Sequence, residues 1–170
     1  MINVTIQIPN KKSSIMYDAV VAGGSISGLL AAREIAKEGY SVLVLEEGFE
    51  VGSPEHCGGL VSKNALKELE IEPSQKTFDS EIECAKIFSP EGKEITINSK
   101  RQRIIVINRR ELDKQAARQA RDNGAKISVK TSFQEKTKDG VRTSNGEIKC
   151  KYFVDCRGVS RLVNKERDGI

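Results

Sequence analysis

The sequence has no tryptophan, one histidine and four cysteines, and aromatic residues make up only 5% of its 170 residues. His56 has no second histidine beside it and the cysteines form no CxxC pair, so a zinc site is not expected. No apolar run approaches the ~20 residues that a membrane-spanning helix needs. The chain also opens without the charged, apolar and cleavage segments of a signal peptide. We therefore expect a cytoplasmic protein without a metal site.

The charge balance is mild: 28 basic residues against 24 acidic ones give a net charge of +4. Basic residues cluster between Lys100 and Arg110, but aromatic residues are not interleaved with them. A surface that stacks nucleic-acid bases needs such aromatics, so we expect no nucleic-acid partner. We interpret the cluster as a solvated face and a helix start. A contribution to binding a phosphate-bearing cofactor or a lipid remains an alternative.

We expect the four cysteines to be free thiols, because a cytosolic chain does not usually form disulfides. Cys84, Cys150 and Cys156 lie in or beside apolar, strand-like runs. We predict that all three are buried and act as small apolar residues.

A glycine-rich turn between an apolar strand and a helix is the strongest signal in the sequence. The strand covers Asp18 to Ala22, and a second apolar run, 42–45, ends on Glu46. This order of parts is typical of a dinucleotide-binding βαβ unit. The alternative is a βαβ unit whose glycines only make a turn. The residues of the turn that we expect to contact the ligand are Gly23, Gly24, Ser25, Ser27 and Gly28.

Each part of this unit has a physical role. Gly23 permits the tight turn, and Gly28 permits close packing of the helix on the strand. Ser25 stands where the fingerprint has its second glycine, and we expect Gly24 to relieve the crowding by its Cβ. Free N–H groups and the helix dipole favour a phosphate there. Glu46, 23 residues after Gly23, is placed to accept hydrogen bonds from ribose hydroxyls.

The rest of the chain predicts one α/β domain after a leader. Residues 1–16 form the leader, disordered or an edge strand, and residues 17–170 form the domain. In the first helix, Leu29, Ala32, Ile35 and Ala36 make the apolar face, and the charged residues 33, 34, 37 and 38 make the polar one. The further elements are a loop over 47–60, a helix over 62–69, strands over 82–88, 94–97 and 103–107, a helix over 109–123, a strand over 125–129 and a β-meander over 131–154.

Two further motifs carry a family resemblance. Arg109-Arg110-Glu111-Leu112-Asp113 opens the second long helix, and Asp155-Cys156-Arg157-Gly158 ends the last strand. In this order they resemble the flavin-dependent reductases and hydroxylases related to p-hydroxybenzoate hydroxylase. The loop from Val51 to Ser62, with its Gly-Ser-Pro and Cys57-Gly58, is similar to that of the geranylgeranyl reductase family.

The resemblance implies FAD as the cofactor. It implies Ser27 at the pyrophosphate turn, Glu46 on the adenosine ribose and Arg109 on the pyrophosphate side. Cys57 and Gly58 would face the flavin, and Phe133 would give a backbone contact to adenine. Cys57 is thus a flavin-adjacent candidate, although a packing or surface role is the alternative, and no residue is assigned as catalytic. Leu60 replaces a glycine common in this loop, and His56 is expected to be exposed.

The resemblance also implies the fold and the activity. The fold class is α/β: a Rossmann-like FAD-binding βαβ unit with a central parallel sheet plus a β-meander, an incomplete glutathione-reductase-2-type flavoprotein fold. The substrate domain of the family would be absent, so we expect the N-terminal FAD-binding half, a fragment or one part of a split enzyme with a separate C-terminal half. This half alone is expected to be inactive.

The complete enzyme would reduce carbon–carbon double bonds of an isoprenoid lipid. Reduced ferredoxin or NAD(P)H would be the electron donor, and peripheral contact with a membrane is compatible with such a substrate. An aromatic monooxygenase of the same superfamily and a non-catalytic FAD-binding subunit remain alternatives. A plain NAD-dependent dehydrogenase is disfavoured, because a meander rather than further βα units follows Glu46.

Overall fold

The computed structural model describes residues 16–53, 57–98 and 103–158. Along these residues the helices are α1 (Ile26–Lys37), α2 (Lys63–Glu68) and α3 (Arg109–Asp122). The strands are β1 (Met16–Ala22), β2 (Val42–Leu45), β3 (Leu60–Ser62), β4 (Phe78–Ile82), β5 (Cys84–Phe88), β6 (Glu94–Asn98), β7 (Ile104–Ile107), β8 (Lys126–Ser128), β9 (Phe133–Thr137), β10 (Gly140–Thr143) and β11 (Gly146–Asp155). The predicted leader lies outside the described residues, apart from Met16.

The main sheet has the order β8-β2-β1-β11-β10-β9. Its first four strands are parallel, with Ala19 opposite Val42 on one side and opposite Tyr152 on the other. Strand β10 pairs antiparallel with β11, and β9 pairs antiparallel with β10. The predicted parallel sheet with a meander is therefore confirmed. Parallel strands need crossover connections, and α1 and α3 provide them.

The two faces of the parallel sheet are covered by different layers. Alternate residues of β1 and β2 pack against α1 and α3, in a cluster that includes Val21, Val44, Leu29 and Ala116. The residues of β1 and β2 on the opposite face pack against the meander, in a cluster that includes Val20. Burial on both faces explains why β2 is a continuous apolar run rather than an alternating one.

A smaller sheet, β3-β7-β4, carries the loop and the short helix α2. Ser62 is the N-cap of α2, as predicted, and its side chain accepts a hydrogen bond from the Ala65 N–H. Its apolar cluster contains Leu66, Ile105 and Leu112, so this unit packs on α3. The predicted loop over 47–60 therefore ends in a strand, because Leu60 pairs with Val106.

The predicted strand over 82–88 was wrong in extent. Residues 78–82 pair with β7, whereas residues 84–88 form a separate hairpin with β6. The hairpin turns through Pro90-Glu91-Gly92, where Gly92 has a positive φ of 83°. The change of partner at residue 83 could not be read from an apolar pattern that runs through both segments.

Two predictions of burial were also wrong. Arg33 was assigned to the polar face of α1, but it is 5% exposed, and its guanidinium donates to Gln119 Oε1 of α3 at 3.0 Å. It is buried because α3 packs beside α1. Cys84 was expected to be buried, but it is exposed because it lies on the hairpin, which belongs to none of the buried apolar clusters of the described residues. Cys150 is buried and Cys156 half-buried.

The contact between α1 and the sheet is testable through Leu29, which is fully buried. Leu29→Ala should lower the free energy of unfolding by about 2–5 kcal/mol, because the cavity adds to the lost apolar burial. Leu69, 42% exposed at the end of α2, is the matched control, and Leu69→Ala should change stability by less than about 0.5 kcal/mol. Urea denaturation followed by circular dichroism measures both. Equal losses in the two variants would contradict this packing.

Candidate functional site

A cleft of about 440 Å³ opens at the carboxyl ends of β1, β2 and β11. Ligands of open α/β sheets bind at this edge, where strand order changes direction. The cleft walls come from the turn after β1, the segment after β2, the start of α3, the start of β9 and the end of β11. The lining residues are Ala22, Gly23, Gly24, Ser25, Leu45, Glu46, Glu47, Gly48, Gly52, Ser53, Cys57, Arg109, Asp113, Thr131, Ser132, Phe133, Cys156 and Arg157.

The Glu46 carboxylate is fixed by two backbone donors. The N–H of Gly24 donates to Oε2 at 2.9 Å, and the N–H of Gly48 donates to Oε1 at 2.7 Å. Each carboxylate oxygen accepts more than one hydrogen bond, so both retain capacity for ligand hydroxyls. The geometry therefore presents an oriented carboxylate acceptor at the end of β2.

Gly24 has a different role from the one that the sequence predicted. A Cβ at this position would lie 2.7 Å from Glu46 Oε2 and 2.9 Å from Glu46 Cβ. The missing side chain thus makes room for Glu46 rather than relieving crowding at Ser25. The sequence places these two residues 22 positions apart, and only the pairing of β1 with β2 brings them together.

The floor of the cleft is a close backbone contact. A Cβ on Gly28 would lie 2.0 Å from the carbonyl oxygen of Gly23, and one on Gly23 would lie 2.5 Å from the carbonyl oxygen of Cys156. Gly23 also has a φ of 109°, a region that L-residues rarely adopt. The roles expected of both glycines, the tight turn and the close helix packing, match these contacts.

The N-terminus of α1 faces a pair of charged side chains from α3. Ser25 is the N-cap, and its side chain caps no backbone N–H. Arg109 donates from Nη2 to Ser25 Oγ at 3.3 Å and from Nε to Asp113 Oδ1 at 3.2 Å. The Asp113 carboxyl accepts from the Ile26 N–H. Arg109 is therefore held at the helix start, where the dipole favours an anion.

Asp113 is the buried acid of this group, at 6% exposure. Burial raises its pKa above the ordinary value, and the nearby Arg109 guanidinium opposes that rise. A carboxylate at this depth is stabilised by the cation and by the N–H that it accepts from. The hydrogen bonds from the Ile26 N–H to Asp113 and from Arg109 to Ser25 tie α3 to the start of α1, and the ion pair within α3 fixes the position of Arg109 in the cleft.

The opposite wall is aromatic. The rings of Phe133 and Phe153 stack with centroids 4.5 Å apart, and the Arg157 guanidinium lies over the Phe133 ring at 4.4 Å. The same guanidinium pairs with Asp155 and holds the pKa of that carboxyl below its usual range. This wall was only partly foreseen: Phe133 was a candidate and Arg157 was not.

The structure brings together seven of the ten predicted cofactor-binding residues in the lining of the cleft: Gly23, Gly24, Ser25, Glu46, Cys57, Arg109 and Phe133. Gly28 lies beneath the turn, Gly58 lies outside the lining, and Ser27 is directed to Cys156, with which it forms a hydrogen bond. Their contacts with a ligand remain predictions. Sequence reasoning did not assign four further lining residues to the site: Gly52 and Ser53 in the loop motif from Val51 to Ser62, Arg157 in the motif that ends the last strand, and Thr131, which stands in no motif.

The described ranges offer neither a metal centre nor a membrane-spanning helix. No group of three or more His, Cys, Asp or Glu residues there could hold a metal ion. No helix in the described part is long and apolar enough to cross a membrane.

Comparison with known proteins identifies the family. The family of NAD(P)-binding Rossmann-like domains matches residues 21–80. The digeranylgeranylglycerophospholipid reductase of Methanocella arvoryzae is 34% identical over 135 residues, which are 78% of this chain and 33% of that protein. Digeranylgeranylglycerophospholipid reductase 2 of Methanothermobacter thermautotrophicus is 31% identical over 159 residues, which are 88% of this chain and 41% of that protein. The chain belongs to the geranylgeranyl reductase family.

Solved structures agree with membership of this family. A geranylgeranyl bacteriochlorophyll reductase-like protein of Thermoplasma acidophilum superposes with a TM-score of 0.75 at 31% identity, over 84% of this chain and 39% of that one. A flavin-dependent brominase superposes with a TM-score of 0.72 at 22% identity, over 91% of this chain and 41% of its own, and shows the shared fold. The chain thus spans about a third to two fifths of the curated relatives, as expected for the N-terminal part of a family member. A flavin or nucleotide cofactor is the kind of ligand that these similarities support.

Thiol reactivity tests the positions of the cysteines. Cys57 and Cys84 are exposed, so both should be alkylated rapidly by a maleimide in the native protein. Burial raises the pKa of the Cys150 and Cys156 thiols, and only the thiolate is nucleophilic, so both should react slowly until the chain is denatured. Timed alkylation with peptide mass spectrometry measures each rate. Fast native labelling of Cys150 would contradict its burial in the meander.

Gly24→Ala tests the link between the turn and the carboxylate. The added Cβ would displace Glu46, so we expect nucleotide affinity to fall at least about tenfold, the loss of one charge-assisted hydrogen bond. Gly39→Asn is the control, because Gly39 lies in open space at the other end of α1 with a φ of 82° and asparagine tolerates that backbone. Titration calorimetry with ADP, together with thermal melts, compares the two. Wild-type affinity in Gly24→Ala would show that Glu46 takes no part in binding.

Proposed function

We propose that this chain is the FAD-binding part of a flavin-dependent reductase that saturates carbon–carbon double bonds of isoprenoid lipids. The observation that carries the proposal is the glycine-lined cleft with its oriented Glu46 carboxylate, in a chain that is 30–34% identical to digeranylgeranylglycerophospholipid reductases. We attribute an activity, a substrate and an electron donor to this chain only as parts of the proposal.

The cleft fits the nucleotide half of FAD in size and chemistry. Its volume of about 440 Å³ lies in the usual range of ligand pockets. Gly23, Gly24, Gly48 and Gly52 line it without side chains, so that the backbone can approach a ligand closely. An added Cβ would meet a backbone oxygen at Gly23 and Gly52, at 2.5 and 2.8 Å, and a Glu46 carboxylate oxygen at Gly24 and Gly48, at 2.7 and 2.9 Å. A cradle of this kind is suited to a pyrophosphate.

Different groups of the protein would bind different parts of the cofactor. Glu46 would accept from the ribose hydroxyls of the adenosine. The start of α1 and the Arg109 guanidinium would neutralise the pyrophosphate, with Ser25 and Ser27 at the same turn. The segment at Phe133 would contact adenine through its backbone, and Cys57 and Gly58 would lie towards the flavin. When bound, FAD supplies the hydride acceptor and donor chemistry of the reaction.

The residues of this chain act by binding and orientation. Asp113 holds Arg109 and Gly24 holds Glu46, so that both charged groups are pre-positioned before a ligand arrives. Preorganised groups of this kind cost little reorganisation on binding. We assign no catalytic residue; Cys57 is a candidate for contact with the flavin and no more.

The finer aspects of the proposal concern the whole enzyme. The substrate would be a prenyl lipid and the donor reduced ferredoxin or NAD(P)H, and a separate C-terminal half would complete the substrate site. The protein would work in the cytoplasm, with peripheral contact at the membrane that holds its substrate. A second candidate is a nucleotide-binding subunit without turnover of its own, which the lining of the cleft supports because it offers binding groups and no residue that we assign as catalytic.

The absorbance spectrum of the purified chain, with and without added FAD, tests the proposal. We expect flavin bands that remain with the protein through gel filtration. Bound FAD should also slow alkylation of Cys57, which lines the cleft, and leave Cys84 unchanged, since it lies on the distant hairpin. If the protein stays colourless and FAD does not change the alkylation rate of Cys57, the proposal is overturned. Reduction of a geranylgeranyl lipid by the dithionite-reduced protein separates the reductase from the subunit without turnover.

A further inference from the structure

Arg157 follows the end of β11 in the motif Asp155-Cys156-Arg157-Gly158, and the family resemblance assigned it no role. Arg157 lies in the lining of the cleft, with its side chain 21% exposed. We propose that the guanidinium of Arg157 is the stacking partner of the cofactor's purine base and forms one wall of the adenine subsite. This inference rests on the proposed function and adds a binding residue to it.

Asp155 holds the guanidinium in a fixed plane. Arg157 donates from Nε to Asp155 Oδ1 at 2.9 Å and from Nη2 to Asp155 Oδ2 at 2.6 Å, and its backbone N–H donates to Oδ1 at 3.2 Å. A bidentate pair of this geometry fixes orientation as well as position. The guanidinium therefore offers a rigid, planar surface rather than a mobile point charge.

Phe133 supports that plane from behind. Its ring lies 4.4 Å from the Arg157 guanidinium carbon and stacks on Phe153, and Lys136 Nζ lies over Phe153 at 5.2 Å. The four side chains thus make a column from the meander to the cleft. A flat cation supported by an aromatic ring and open to the cleft is suited to a further aromatic ring.

The neighbouring strands place this column beside Glu46, whose carboxylate would bind the ribose. Thr131, two residues before Phe133, donates its backbone N–H to the Glu46 carbonyl oxygen at 2.9 Å. On the other side, the N–H of Cys156 donates to the Ala22 carbonyl oxygen at 2.8 Å, directly before the turn. A base joined to a ribose at Glu46 would extend towards the 131–133 segment and meet the guanidinium there.

The observations favour the base over a phosphate as the partner of Arg157. The charge of Arg157 is paired with Asp155 through two hydrogen bonds, and a neutralised guanidinium gains little from a phosphate. The cation at the helix start, where phosphate binding is favoured, is Arg109 instead. Stacking depends on the plane of the guanidinium, whereas a lysine ammonium can still bind a phosphate as a point charge.

Two substitutions separate these roles. Arg157→Met removes charge and plane, and Arg157→Lys keeps the charge but removes the plane. We expect both to weaken ADP binding to the full chain about tenfold, the size of a desolvated cation–π contact. The same factor should hold for AMP and FAD and should persist at high salt. Arg142→Lys is the matched control, since Arg142 pairs with Glu135 and Glu147 outside the lining of the cleft.

Titration calorimetry with AMP, ADP and FAD at two salt concentrations measures the effect, and thermal melts confirm that each variant folds. If Arg157→Met does not fold, Arg157→Lys alone decides. Wild-type affinity in Arg157→Lys, with a loss in Arg157→Met that shrinks at high salt, would mean a phosphate contact and would overturn the inference. Unchanged affinity in both variants would overturn it as well. A wild-type chain that binds none of the three nucleotides would instead overturn the proposed function.

Discussion

The close contact of three backbone segments at Gly23, Gly28 and Cys156 determines the geometry on which the site depends. The turn after β1, the first turn of α1 and the end of β11 meet at distances that no Cβ would permit. Because no side chain separates them, the start of α1 lies directly above the sheet edge, beside the cleft. A methyl group at Gly23 or Gly28 would push these segments apart and move every binding group with them.

Each charged group of the cleft is held by hydrogen bonds within the protein, most of them to residues close by in the chain and one, from Gly24 to Glu46, across 22 positions. Glu46 is held by the N–H groups of Gly24 and Gly48, Arg109 by Asp113, and Arg157 by Asp155. Each charge therefore has a partner before any ligand binds, which limits the cost of bringing charges out of water. The consequence is a site whose acceptors and cations are already oriented.

Much of the fold could be predicted from local sequence. The run from Asp18 to Ala22 and the glycines after it predicted β1, its turn and α1, and Gly124 predicted the end of α3. The hairpins at Asp139-Gly140 and Asn145-Gly146 predicted the meander, because those dipeptides favour turns. The prediction was wrong where a partner in space decides the outcome: the exchange of strand partners at residue 83, the burial of Arg33 against α3 and the exposure of Cys84.

The sequence by itself determined the order of elements, the glycine-rich turn, the acid after β2 and the family, since spacing along one chain carries that information. Only the tertiary structure decided that Gly24 makes room for Glu46, that Arg109 reaches Ser25 at the start of α1, and that Arg157 lies on Phe133 in the cleft wall. The physical reason is that these contacts join residues from 22 to 84 positions apart through strand pairing and helix packing. Local periodicity records which face of an element is apolar, but not which element will cover it.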